Sequence, residues 1–395
     1  MHRLRPGHRR RRRAALTHTV AGRVRAAHVA LAVLFVAFGT IDGTWVARLP
    51  ALKQRLDLDD GLLGIAVFLV GLTATLLLPV AGWLVARRGS RGPTVLGLAL
   101  ACVGLTATAF APSFASLVPT VCILGAGVGF SDVGANANGV ALEEELERPV
   151  LSTLHGMWSF GLLAGSAVAV VAAAAGITPR AQFPAVAASV LVLVAVFGPR
   201  LLPGGAADVE SSHFALPRGA LALPAFLMFC AFFVETAAMN WTAVFLAGPA
   251  GTSAAVAAAG VVVYALAMAL ARLFGDSLLL RWGVGGLARR SGSLTCVGLA
   301  LALVTRSPIP AFVGFALVGA GCAAIVPALF RVGGSIPGIA SGAGIAAVAT
   351  AGYFGGVLNG PVIGFASRGV GLTLALTLMG VGAAVIALLG PRLER

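Results

Sequence analysis

The sequence predicts an all-α, polytopic membrane protein with twelve transmembrane helices in two pseudo-symmetric six-helix halves. Three observations carry that expectation. Of 395 residues, 58% are hydrophobic and only 11% charged, too few charges to clothe a soluble surface of that size. Apolar segments long enough to cross a hydrocarbon core of roughly 30 Å recur twelve times. The basic residues gather at alternate ends of those segments, as membrane topology requires.

The segments fall at about 27–47, 61–86, 93–111, 115–141, 152–175 and 181–198, then 220–247, 253–280, 286–305, 309–330, 338–366 and 369–390. The longest internal polar break, 199–219, holds Arg200, Asp208, Glu210, His213 and Arg218 and reads as a cytoplasmic linker. The domain organisation is therefore a basic tail over 1–26, a first half over 27–198, the linker, and a second half over 220–391. Five cysteines stand singly among apolar residues with no C-x-x-C pair, which makes them small core residues and leaves no metal site or disulfide framework.

The net charge of +14 invites a nucleic-acid partner, but topology explains it better. Placing the amino terminus inside puts 22 of the 28 basic residues on the cytoplasmic side, nine of them in the tail. Arg48, Lys53, Arg55, Arg180, Arg306 and Arg368 fall outside. The tail has five consecutive arginines, Arg9 to Arg13, but no small-residue cleavage site follows before Asp42, so the first apolar run reads as an uncleaved helix. Both termini are then expected in the cytoplasm of a bacterial cell, the tail against anionic lipid of the inner membrane.

An internal repeat is visible at an offset of 194 residues. Leu84, Arg87 and Gly89 return as Leu278, Arg281 and Gly283, Gly125-Ala126-Gly127 as Gly319-Ala320-Gly321, and Phe160-Gly161 as Phe354-Gly355. Duplicated six-helix halves are a transporter architecture, with the solute held near the midplane between them.

One stretch, Gly125 to Gly165, gathers acid, amide, histidine and tryptophan between apolar helices. Gly125, Gly129, Asp132, Asn136, Gly139 and Glu143 follow at steps of 4, 3, 4, 3 and 4, one continuous helical face. A polar stripe in a lipid-compatible helix must face protein or a water-filled cavity.

These residues resemble the major facilitator superfamily. Gly82-Trp-Leu-Val-Ala86-Arg87-Arg88-Gly89-Ser-Arg91 is similar to its loop signature, with Ala86 where the family has aspartate. Asp132-Val-Gly-Ala-Asn136 resembles the acidic-x-x-Ala-Asn stretch of fucose-permease-like sugar/proton symporters, a resemblance that implies proton coupling at the acid. Asp42 matches their first-helix acid. Glu235-Thr-Ala-Ala-Met-Asn240-Trp241 resembles a bacterial branch of inner-membrane permeases, with asparagine at 240 where that branch carries aspartate. The drug/proton antiporter signature G-x-x-x-G-P is absent from the fifth segment, since Gly161-Leu-Leu-Ala-Gly165 runs into Ser166.

A charge at the centre of a membrane helix costs about 2.5 to 3.5 kcal/mol on insertion scales, so Asp132, Asp42 and Glu235 need a reason. Proton coupling is one reason and structural hydrogen bonding the other. Asn136 and Asn240 suit hydroxyl-rich neutral solutes, and Trp158 and Trp241 offer flat faces to a ring, although interhelical hydrogen bonds and core packing explain the same residues. Trp45, near a helix end, reads as an interfacial anchor. Glu143, Arg148 and His155 read as a gate at the cytoplasmic turn, ahead of a relay between His155 and Glu143. Arg87 and the i, i+4 couple Arg272 and Asp276 read as conformational charges. No H-E-x-x-H, G-x-S-x-G or cysteine/histidine cluster points to an enzyme or a cofactor. The sequence thus leads to alternating-access, proton-coupled transport of a small sugar-like solute by a monomer in the bilayer. Proton-driven efflux of amphiphilic drugs or metabolites is the alternative.

Overall fold

A computed structural model describes residues 6–148, 150–203, 218–305, 307–339 and 341–394, with the side chains of all but 6–21, 152, 276 and 341–343. Twelve helices among them are long and apolar enough to cross a membrane: α1 (Gly22–Ala47), α2 (Asp60–Arg88), α3 (Arg91–Phe110), α4 (Phe114–Leu146), α5 (Thr153–Ala174), α6 (Pro179–Arg200), α7 (Gly219–Ala247), α8 (Ala254–Arg272), α9 (Ser277–Thr305), α10 (Pro308–Gly334), α11 (Gly344–Val370) and α12 (Leu372–Glu394). No strand occurs among the described residues. Most of the basic tail's side chains and residues 204–217 of the linker lie outside them.

Two boundaries differ from the hydropathy reading. The eighth segment, expected to reach residue 280, ends at Arg272, and the chain restarts at Gly275. It bends again at Gly283, whose φ of 66° is open to glycine and strained for other residues. Gly89, its counterpart 194 residues earlier, has a φ of 76° and ends α2. The fourth segment runs on to Leu146 because the acidic residues after Leu142 continue the helix.

The halves repeat one packing scheme. Within the first, α1 packs on α5, and α4 on both α2 and α3; within the second, α7 packs on α11, and α10 on both α8 and α9. The repeat survives at single contacts. A Cβ on Gly125 would strike the Val70 carbonyl, and one on Gly319 would strike that of Tyr264. Both members are displaced by the same 194 residues (319 − 125 and 264 − 70). Glycine at these places lets two backbones approach as side chains would forbid.

Two helix pairs, α2 with α11 and α5 with α8, join the halves. Along α2 and α11 the close approaches run from Asp60 to Gly71: Gly64 lies over the Gly360 carbonyl, Gly364 over that of Asp60, and Gly71 against Val357. Further along, a Cβ on Gly82 would meet open space. Along this pair the halves thus meet at the end opposite the chain termini and part toward the end that carries them, while α5 and α8 stay in touch through Ser159 and Arg272.

That closed end also accounts for four of the six basic residues that the charge rule leaves on the wrong side. Arg48 donates to the Ile177 carbonyl at the end of α5, and Arg55 donates to the carbonyls of Thr108 (2.8 Å) and Ala111 (2.9 Å) at the end of α3. Arg55 thus meets carbonyls that a helix leaves unpaired at its carboxyl end, and Arg48 holds the turn that follows α5. Lys53 pairs with Asp60, and Arg368 pairs with Asp59 at 2.9 Å. Local anchoring, not topology, places these charges.

Candidate functional site

The first-half site is built where α1 and α5 nearly touch. A Cβ on Gly161 would lie 2.1 Å from the Val36 carbonyl oxygen, and Gly39 and Gly43 face the carbonyls of Trp158 and Leu162. With backbones this close, Asp42 on α1 reaches Trp158 on α5, whose indole Nε1 donates to Asp42 Oδ2 at 3.0 Å. A hydrogen bond to a carboxylate is worth about 1.5–3 kcal/mol, more than a neutral one, so this contact fixes both side chains.

On α4 the expected stripe forms as one helical face. Ser113 and Ser116 close a capping box at the start of the helix, which runs uninterrupted past Asp132 and Asn136. Asn136 Nδ2 donates to Asp132 Oδ1 at 2.9 Å, and its Oδ1 meets His155 Nε2 at 3.1 Å. An amide oxygen only accepts, so with the amide in this orientation the contact requires the tautomer protonated at Nε2. The Phe35 ring meets His155 at 5.6 Å in an edge-on arrangement. Asp132 is within Coulombic reach of Asp42, of His155 and of Tyr353 on α11. His155 is exposed and Asp132 and Asn136 are part-buried, so the row Asp132–Asn136–His155 runs from a part-buried carboxyl to an exposed ring.

The second half contributes an ion pair. Arg272 Nη2 meets Glu235 Oε1 at 3.0 Å, Nη1 meets the Ser159 hydroxyl of α5 at 3.4 Å, and Nε meets the Ala323 carbonyl at 3.4 Å. One guanidinium thus ties α7, α8, α10 and the opposite half together. Glu235 Oε2 is buried and has no hydrogen-bond partner among the described residues, while Tyr264 donates to the Glu235 main-chain carbonyl at 3.0 Å. Asn240 donates to Asn359 of α11 at 3.4 Å.

Several sequence expectations are redirected. Arg272 pairs with Glu235 on the neighbouring helix, and the side chain of Asp276, its expected partner, lies outside the described residues. Glu143 caps the helix that contains α5, its Oε1 accepting from the backbone N–H groups of Val150 (2.7 Å) and Leu151 (2.9 Å), while His155 meets Asn136. Arg148 is exposed on the same turn. Trp241 is 1% exposed and belongs to the core, so it presents no face to the gap, and Trp45 is buried instead of interfacial. Asn240 is also buried, held on Asn359. Arg87 sits over the Trp83 ring at 4.8 Å. Tyr353 and Asn359 were missed because nothing near them in sequence is charged. Among the described residues no group of three His, Cys, Asp or Glu side chains could hold a metal.

Twelve apolar helices in two repeated halves, with acids, an imidazole and an ion pair gathered where the halves meet, define a membrane transporter. The chain belongs to the Major Facilitator Superfamily, whose family model matches residues 30–358. It is 30% identical over 337 residues to an uncharacterized MFS-type transporter of Yersinia pestis, covering 84% of this chain and 86% of that one. It is 29% identical over 368 residues to an uncharacterized transporter of Sinorhizobium fredii, covering 91% and 96%. Among solved structures the D-xylose-proton symporter superposes with a TM-score of 0.76 at 14% identity, covering 94% of this chain and 97% of that one, which shows the shared fold. The protein is therefore a multi-pass membrane transporter and not an enzyme.

Proposed function

We propose that the protein moves a small polar, sugar-like solute across the bacterial inner membrane by alternating access, coupled to protons, with both termini in the cytoplasm. The observation that carries this reading is the row Asp132–Asn136–His155 leading from an intramembrane carboxyl to an exposed ring, beside the Asp42–Trp158 bond. The halves would rock about the site, and the state seen here, open toward the termini, would be the inward-facing one.

The Asn136 amide gives the row a mechanism. With Asp132 ionised, the amide NH₂ donates to the carboxylate and the amide oxygen accepts from His155 Nε2–H. A proton on Asp132 makes that carboxyl a weaker acceptor, while the amide NH₂ stays anchored on the Asp132 main-chain carbonyl at 2.8 Å and keeps the amide oxygen toward His155. The imidazole then senses the loss of the neighbouring negative charge through a row whose geometry is fixed. The hydroxyls of a sugar suit the amide, carboxyl and hydroxyl groups along this row, and Trp158 offers it a flat face. The D-xylose-proton symporter, which shares the fold, moves a solute of the class proposed here.

Purified protein in proteoliposomes with an imposed pH gradient tests it, using labelled pentoses, hexoses, nucleosides and cationic drugs. Gradient-driven accumulation of a sugar that is lost in Asp132→Asn supports the reading. Accumulation that Asp132→Asn leaves intact removes Asp132 as the coupling group, and gradient-driven movement of drugs alone establishes efflux in its place.

A further inference from the structure

Away from the central gap, an open groove of about 810 Å³ lies between α3 and α6 at the end that carries the termini. Its walls are aliphatic, with Val95 and Leu96 from α3 and Leu191 and Val194 from α6, and its mouth carries Arg88 and Arg91. Neither guanidinium has a hydrogen bond or ion pair among the described residues. The position that would supply one in the family's loop signature is Ala86 here.

The second half shows how the repeated site is filled. Gly283 and Gly89 are equivalent and share a left-handed turn, and the helix that follows each begins with free backbone N–H groups. In the second half Glu394, the last residue of α12, turns its carboxylate onto this helix start, its Oε1 accepting from Gly285 N–H at 2.8 Å. At the offset of 194 residues Gly285 corresponds to Arg91 and Glu394 to Arg200. The first half thus replaces the internal anion with a cation and adds two more arginines, and among the described residues nothing fills the groove. Arg200 turns away, donating to the Val196 carbonyl and lying over the Phe197 ring.

We propose that this groove binds one anionic phospholipid, its phosphate between Arg88 and Arg91 where the second half holds Glu394, and an acyl chain along Val95, Leu96, Leu191 and Val194. Charge complementarity selects an anion. The aliphatic walls and the position at the rim of the bundle select a lipid over a soluble phosphate, since a soluble ion gains nothing from them.

The test uses the full-length protein in nanodiscs of phosphatidylcholine doped with spin-labelled phosphatidylglycerol or spin-labelled phosphatidylcholine. The wild type is expected to immobilise phosphatidylglycerol with roughly tenfold or greater preference, the scale set by two arginines at a membrane surface. R88Q/R91Q is expected to bring the preference close to parity, whereas R23Q/R25Q, which removes the same charge at the same end of the bundle, leaves it within about twofold. Ala99→Trp, which fills the groove without touching charge, is expected to displace the immobilised lipid, so the result does not hang on one variant folding. Unchanged preference in both R88Q/R91Q and Ala99→Trp overturns the proposal. Competition by soluble glycerol phosphate at millimolar concentration overturns the lipid and leaves a phosphate site.

Discussion

Trp158 holds Asp42 through an indole N–H on the carboxylate, 3.0 Å across the tightest helix pair of the first half. The pair combines the two things a coupled transporter must connect, a group that can carry a proton and a flat surface for a ring. Trp158→Phe keeps the surface and removes the donor. Gradient-driven accumulation is expected to fall about tenfold or more, the equivalent of one charged hydrogen bond, while the KM for the solute changes by less than about threefold. Initial rates in proteoliposomes at two external pH values measure both. A rise in KM with intact accumulation would make Trp158 a binding residue alone.

The row on α4 and α5 makes a second prediction. Asn136→Ala disconnects His155 from Asp132, and Asn136→Leu does so at nearly unchanged volume. Both are expected to lose accumulation against a gradient but to keep solute exchange at equal pH, because exchange needs the site and not the proton path. Counterflow assays separate the two activities. Loss of both together would place Asn136 in solute binding instead.

How far the sequence reaches is clear from these residues. Asp132 and Asn136 were legible because a helix imposes its period on the chain, so a polar stripe is visible without coordinates. Gly125 and Gly319 were legible because duplication writes the same contact twice. The partners across helices were not. Arg272 pairs with Glu235, 37 residues back, because packing of α7 on α8 brings that carboxylate within reach, and no period along the chain announces it. Glu143 looked like part of the site stripe, yet the chain turns after it and uses it as a cap. Trp241 stands beside Asn240 in sequence and points into the core, which only packing decides.

Glu235 and Arg272 give a third prediction. Removing one partner leaves the other charge inside the bundle, whereas removing both leaves none. Glu235→Gln and Arg272→Gln are each expected to lower stability by about 1–3 kcal/mol, and the double variant to recover at least half of the larger loss. Thermal unfolding in detergent, arranged as a double-mutant cycle, measures the coupling. Strict additivity would show that the 3.0 Å contact carries no energy.

The closed end makes the last. Asp59 and Arg368, two residues from opposite halves, form paired contacts of 2.9 and 3.1 Å, and Ser367 donates to Asp60 beside them. Hydrogen bonding to Arg368 holds the Asp59 carboxyl below the usual carboxylate range. A carboxyl depressed in the closed state contributes fully above its ordinary value of about 3.9 and is lost only as pH falls through the depressed one. The lock is thus intact from about pH 5 to 8 and takes no part in sensing a physiological gradient. Because Asp59 and Arg368 are half exposed, the pair is worth less than about 1 kcal/mol, and Asp59→Asn is expected to shift the open-to-closed ratio of this end by no more than about fivefold. Gly64 is a different case. Any Cβ there would lie 2.2 Å from the Gly360 carbonyl oxygen, a backbone atom that cannot move aside alone. Gly64→Val is therefore expected to hold this end apart, with a far larger shift than Asp59→Asn. Spin-label distances between α2 and α11 at pH 5 and pH 8 read both variants. A lock that opens between those two values in the wild type would mean that a group other than Asp59 controls it.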